Sequence, residues 1–189
     1  MLQLPPTLSE ESLELLNLNR STAYTALVVR GQGNPQAKAR LDGLLAATIF
    51  SSNVTKSPVS RSATLAAMWL WHDWLSPAHE IAQLIHTPIG SYWHAIMHRR
   101  EGDFSNSKYW YAKAGKIPAL SILGVQAGGV VNELPADRSL LRVTLHGFDP
   151  AAFVDFVEEV EADPSDPRYQ AAIALQRLEW SIIFDAEAR

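Results

Sequence analysis

At five points that read as helix starts, a side chain able to cap a helix stands directly before a proline: Asn34-Pro35, Ser76-Pro77, Thr87-Pro88, Asp149-Pro150 and Asp166-Pro167. A capping oxygen accepts from the free N–H groups of a first helical turn, and proline loses nothing there because its missing N–H would have no partner. Each pair is therefore a start signal, and together they leave little chain for a sheet. Thr7 followed by Glu10 adds a capping-box pattern ahead of Leu13, Leu15 and Leu16. The apolar spacing between these signals predicts helices over 8–18, 35–50, 62–75, 77–86, 89–100, 105–114, 150–161 and 167–187.

The last of these carries Ala171, Leu175, Leu178 and Ile182 on one stripe, widened by Trp180, Ile183 and Phe184, which is the pattern of a core helix. Residues 117–147 are harder to read. Gly124, Gly128 and Gly129 weaken a helix there, while Val125, Val130, Val131 and the run Leu140 to Leu145 favour extended chain, so a short β-hairpin stays open within that stretch. With 189 residues, 47% of them hydrophobic, and neither an internal repeat nor a dividing linker, the expected fold is mainly α. We expect a multi-helix, bundle-like single domain spanning 1–189.

Composition removes several function classes. Sixteen Lys and Arg against 20 Asp and Glu give a net charge of −4 with no concentrated basic stripe, the opposite of what phosphate neutralisation requires, so no nucleic-acid partner is expected. Without cysteine there is no disulfide, thiolate metal site or cysteine nucleophile, and any metal needs His, Asp or Glu ligands. The most apolar stretches, 44–50 and 63–71, fall far short of the roughly 20 residues that span a bilayer, and the start MLQLPPTLSEESLELL has no basic segment followed by an apolar one. A cytoplasmic location is the expectation. Gly31-Gln32-Gly33 lacks the third glycine of a dinucleotide fingerprint, and Gly124 to Gly129 has no following Lys-Ser or Lys-Thr of a phosphate loop. No Gly-x-Ser-x-Gly occurs.

The functional signal is concentrated between Trp69 and Tyr111, which hold five of the six tryptophans and five of the six histidines. His94, His98 and Glu101 fall at i, i+4 and i+7 and share one helical stripe; His79, Gln83 and His86 form a second on the preceding helix. The short connection through Thr87-Pro88-Ile89-Gly90 would return the chain antiparallel and let the stripes face each other. A divalent metal held by His79, His94, His98 and either Glu80 or Glu101 would suit the nitrogen and oxygen preference of zinc or iron. Beyond it, Arg99, Arg100, Glu101 and Asp103 stand around Gly102, followed by Asn106, Tyr109, Trp110 and Tyr111. Arg99, Glu101, Asp103, Asn106 and Trp110 are candidate contacts to a small, anionic ligand.

A structural reading fits the same residues. Neither HExxH nor a Glu-x-x-His pair is present, and histidines four apart on a helix also occur as packed residues bonded to carboxylates, with the tryptophans filling a core. On that reading the chain is a non-enzymatic scaffold or homodimer. His72-Asp73 invites comparison with the helical HD-type phosphohydrolases, but those place a histidine ahead of the doublet and none precedes His72 here.

The strings His72-Asp73-Trp74-Leu75 and His79-Glu80-Ile81-Ala82-Gln83, with SYWHAIMHRREGDFSNSKYWY over 91–111, resemble a family of uncharacterised bacterial proteins. Phe153-Val154-Asp155, Gln176, Glu179-Trp180 and Phe184-Asp185 are similar to that family's C-terminal part. The likeness covers roughly 65–115 and 148–187. It implies a compact helical protein and carries no activity.

Overall fold

The computed structural model describes residues 4–132 and 137–189. Their regular structure is ten α-helices and one short 3-10 turn at Ala46–Thr48. In chain order these are α1 (Glu10–Asn17), α2 (Pro35–Gly43), α3 (Pro58–Trp71), α4 (Leu75–Ala82) and α5 (Pro88–Glu101), then α6 (Phe104–Ala114), α7 (Ala119–Asn132), α8 (Arg138–Thr144), α9 (Pro150–Val160) and α10 (Pro167–Ala188). Among the described residues there is no strand, only isolated bridges between Leu8 and Phe50 and between Leu145 and Gly147.

Four of the five cap and proline pairs open helices as their chemistry dictates. Asn34 accepts from Gln36 and Ala37, Thr87 from Gly90, Asp149 from Ala151 and Ala152, and Asp166 from Arg168. The exception is Ser76-Pro77. There α4 begins two residues earlier, with Trp74 at the cap position and no side-chain cap bond, because an indole N–H can only donate, here to the Asn34 carbonyl at 2.9 Å. Proline still lies in the first turn, where no N–H is needed. Ser57 and Pro58 form a further start of the same kind: Ser57 accepts from Ser60 and opens α3 four residues ahead of the expected point.

The stretch that left a hairpin open is instead helical on both sides of 133–136, residues that lie outside the described part of the chain. Leu123, Ala127 and Val131, spaced by four, are buried along α7, and this helical stripe outweighs the extended preference of the valines. Gly124 makes the packing close: a Cβ there would sit 2.9 Å from the Phe148 amide nitrogen.

Two groups of buried side chains form the interior. One gathers α1, α3, α5 and the C-terminal half of α10 around Trp71, Trp93 and Trp180; the other gathers α7, α8, α9 and the N-terminal half of α10 around Phe153 and Phe156. Helix α10 thus runs through both, and Phe104, Leu120 and Ile182 pack against both. Among the described residues no helix is long and apolar enough to cross a membrane.

Candidate metal centre

Three consecutive helices build the site, and two glycines decide how closely they meet. Between α4 and α5 the chain reverses over five residues, with Gly90 pressed so tightly on Ile85 that a Cβ would lie 2.1 Å from the Ile85 carbonyl oxygen. Only a residue without a Cβ allows that approach. Gly102 ends α5 in the left-handed region at φ 88°, and the amides of Gly102 and Asp103 bond back to the Arg99 and His98 carbonyls at 3.1 and 3.0 Å. Asp103 then caps α6 by accepting from the Asn106 amide at 3.1 Å. Helix α6 returns along α5, so that Asn106 meets His98 and, one turn later, Trp110 meets His94.

His79 from α4 and His94 and His98 from α5 come together here. One ring nitrogen from each lies within 4.8 Å of the other two. The rings are close as well, with centroids 4.6 Å apart for His79 and His94, 4.7 Å for His94 and His98, and 5.4 Å for His79 and His98. His94 and His98 are buried and His79 half-buried, so the cluster is reached from the α4 side. Neither ring nitrogen of His94 has a hydrogen-bond partner among the described residues. An imidazole normally finds partners for both nitrogens when buried, so this one is poised to receive something. Its ring is stacked on Trp110 at 4.0 Å, and the Lys113 ammonium lies 4.2 Å from the Trp110 ring centre. Burial first, then the neighbouring His98, His79 and Lys113 charges, press the His94 pKa down to about 4. His94 is neutral at pH 7, as a metal ligand must be.

His98 is oriented by two partners. Its Nδ1 lies 2.5 Å from Glu101 Oε1, and Asn106 Nδ2 lies 3.1 Å from its Nε2. The carboxylate can only accept, which assigns the proton to Nδ1, and the Nε2 lone pair then accepts from the Asn106 amide N–H. That is the arrangement in which a carboxylate fixes the tautomer of a metal-binding histidine. His98, Glu101 and Asp103 form a second group with ligand atoms within 4.8 Å, but Glu101 and Asp103 are exposed and Asp103 is already committed to the α6 cap, whose N–H holds its carboxyl below the usual range.

Arg99 does not join this cluster. Its guanidinium is fully buried on the opposite side of α5, where it pairs with Glu179 of α10 and donates to the Tyr111 hydroxyl at 2.7 Å. Tyr92 and Tyr111 donate to the other Glu179 oxygen at 2.9 and 2.8 Å, and Phe153 covers the guanidinium at 4.5 Å. Although burial opposes its charge, Glu179 and Tyr111 hold Arg99 firmly protonated. Burial chiefly raises both tyrosines well above their ordinary range. The network is fully buried and leaves only the Arg99 Nε–H without an acceptor among the described residues. Arg100 is equally engaged, donating to the Leu70 and Ala26 carbonyls and pairing with Asp73 at 2.6 Å. Asp73 is thus the partner of an arginine, and His72 is buried with Nε2 3.0 Å from the Leu15 carbonyl, so the His-Asp doublet is packed structure.

Of the residues singled out in the sequence, the fold brings together His79, His94, His98, Glu101, Asp103, Asn106 and Trp110. His86 is exposed beyond the end of α4, and Glu80 is exposed. Glu179, Tyr92 and Tyr111 were not recognised as the partners of Arg99. One signal existed: Glu179 interrupts an otherwise apolar set on α10, between Leu175 and Ile183, where a charge must find a buried partner. Comparison with known protein families, with curated proteins and with solved structures finds no match to this chain.

Proposed function

We propose that this protein binds a divalent transition metal, zinc or iron by ligand chemistry, through His79, His94 and His98. The observation that carries the reading is the buried His94 ring, unpartnered at both nitrogens and within ligand distance of two further imidazoles. Three imidazole nitrogens suit a first-row divalent ion, and nitrogens at metal–nitrogen distances of about 2.0–2.1 Å in a tetrahedron lie about 3.3 Å apart. The three nitrogens, within 4.8 Å of one another, have to draw together by side-chain rotation to reach it. Glu101 serves as the orienting carboxylate of His98, and the fourth position falls to water. An ion on His98 Nε2 displaces the Asn106 amide that now donates there, and Trp110 backs the His94 ring. On this reading the chain is a cytoplasmic member of the bacterial helical family that it resembles.

Metal analysis of protein purified without a histidine tag tests the proposal. It predicts close to one equivalent of zinc or iron, lost in the His94→Ala, His98→Ala double variant, and a lower melting temperature after chelation. Metal-free protein that takes up no zinc and melts unchanged with chelator would leave the scaffold reading, in which the three rings and Trp110 are a packed aromatic cluster.

A further inference from the structure

Away from the histidines, an open cleft of about 810 Å³ lies between the C-terminal half of α10, the end of α3, the middle of α7 and the loop after α1. Its volume falls in the range of small-molecule sites, about 300–1,000 Å³. Three arginines line it, Arg20, Arg177 and Arg189, against one carboxylate, Asp185. That carboxylate is already taken by Arg189, at 2.6 Å. Arg20 and Arg177 have no carboxylate partner among the described residues. Arg177 spends its donors on the Ala23 and Arg20 carbonyls and stacks over Trp71 at 5.1 Å. Arg20 uses one nitrogen on Asn17 at 3.0 Å, while its buried Nη2 has no acceptor. Trp71, which is 1% exposed and forms part of the wall, also has an indole N–H with no acceptor.

Buried donors are ordinarily satisfied, and like charges beside each other are ordinarily compensated. Here two guanidiniums border one cleft without a carboxylate partner, and the Arg20 Nη2 and the Trp71 indole N–H are left without an acceptor among the described residues. Burial, then the Arg20 charge, lowers the pKa of Arg177, which is the mark of a cation lacking its counter-charge. Leu178 and Ile182 supply an apolar stretch of the same wall. We propose that this cleft binds a small organic anion, its phosphate or carboxylate held by Arg20 and Arg177 and its apolar part laid against Leu178, Ile182 and Trp71. The site is separate from the histidine cluster in residues and in chemistry, so it stands or falls independently of the metal.

Calorimetric titration of the full chain with phenyl phosphate and with 3-phenylpropionate, alongside benzyl alcohol as a neutral control, tests this. The expected result is saturable binding of at least one anion and none of the alcohol. Affinity should fall about tenfold or more in Arg20→Gln, as loss of a charged hydrogen bond requires. Because Arg177 also ties down the loop after α1, Arg20→Gln, whose side chain holds only Asn17, is the decisive variant, with its melting curve as the control for folding. Absence of saturable binding by both anions overturns the proposal. So does binding that the neutral alcohol matches, or that Arg20→Gln leaves unchanged.

Discussion

At the scale of single residues, two clusters on the same helix behave in opposite ways. Along α5, Arg99 is paired with a carboxylate and donates to the Tyr111 hydroxyl, whereas His94, just over one turn earlier, faces other imidazoles and keeps both nitrogens unpartnered. Removing one member of the first cluster leaves a buried charge, so Glu179→Ala should destabilise the fold by about 3–5 kcal/mol in urea denaturation. Tyr111→Phe, which removes one hydroxyl from that network, should lose about 1–3 kcal/mol. Glu101→Gln should leave stability nearly unchanged, because Glu101 is exposed, yet weaken zinc binding about 10- to 100-fold in competition with a chelating dye. His72 gives a pH dependence. Burial first presses its pKa from 6.5 down to about 4 in the folded chain, so between those values the unfolded state binds more protons than the native one. Stability is therefore complete above pH 6.5 and falls as pH drops towards 4, by an amount on the order of 3 kcal/mol for a fully realised shift. Denaturation midpoints of metal-free protein at pH 7 and pH 5 check the sign.

At the scale of helices, the starts were legible because capping and proline are local chemistry. Asn34, Thr87, Asp149 and Asp166 cap the helices that their spacing announced. Residues 119–132 were not legible, because what makes Gly124 acceptable in a helix is a contact with Gly147 and Phe148, more than twenty residues away. That difference predicts opposite effects for two glycines of α7. Gly128→Ala meets nothing within 4 Å and should stabilise by about 0.5–1 kcal/mol through helix propensity. Gly124→Ala gains the same propensity but drives a Cβ to 2.9 Å from backbone, and should destabilise by about 1–3 kcal/mol, read from paired thermal melts. The α4–α5 turn depends on Gly90 in the same way, and that turn is what sets His79 opposite His94.

At the scale of the whole molecule, α10 ties the two interior groups together and brings Glu179 to Arg99, Arg177 to Trp71 and Trp180 to Trp93. Sequence spacing placed His94 and His98 on one face and turned α4 back towards them, since both follow from helical period and a short turn. It could not show which face of α5 lies towards α10, which is why Arg99 reads from sequence as a ligand clamp and sits in the structure as a buried ion pair. Zinc at about 100 times its dissociation constant should raise the stability of the whole chain by about 2.7 kcal/mol. The most direct measurement is anomalous diffraction at the zinc edge from crystals grown with zinc. We predict one strong peak with His79, His94 and His98 nitrogens about 2.0–2.1 Å away. A well-occupied ion elsewhere, with the three imidazoles unliganded, would contradict the account.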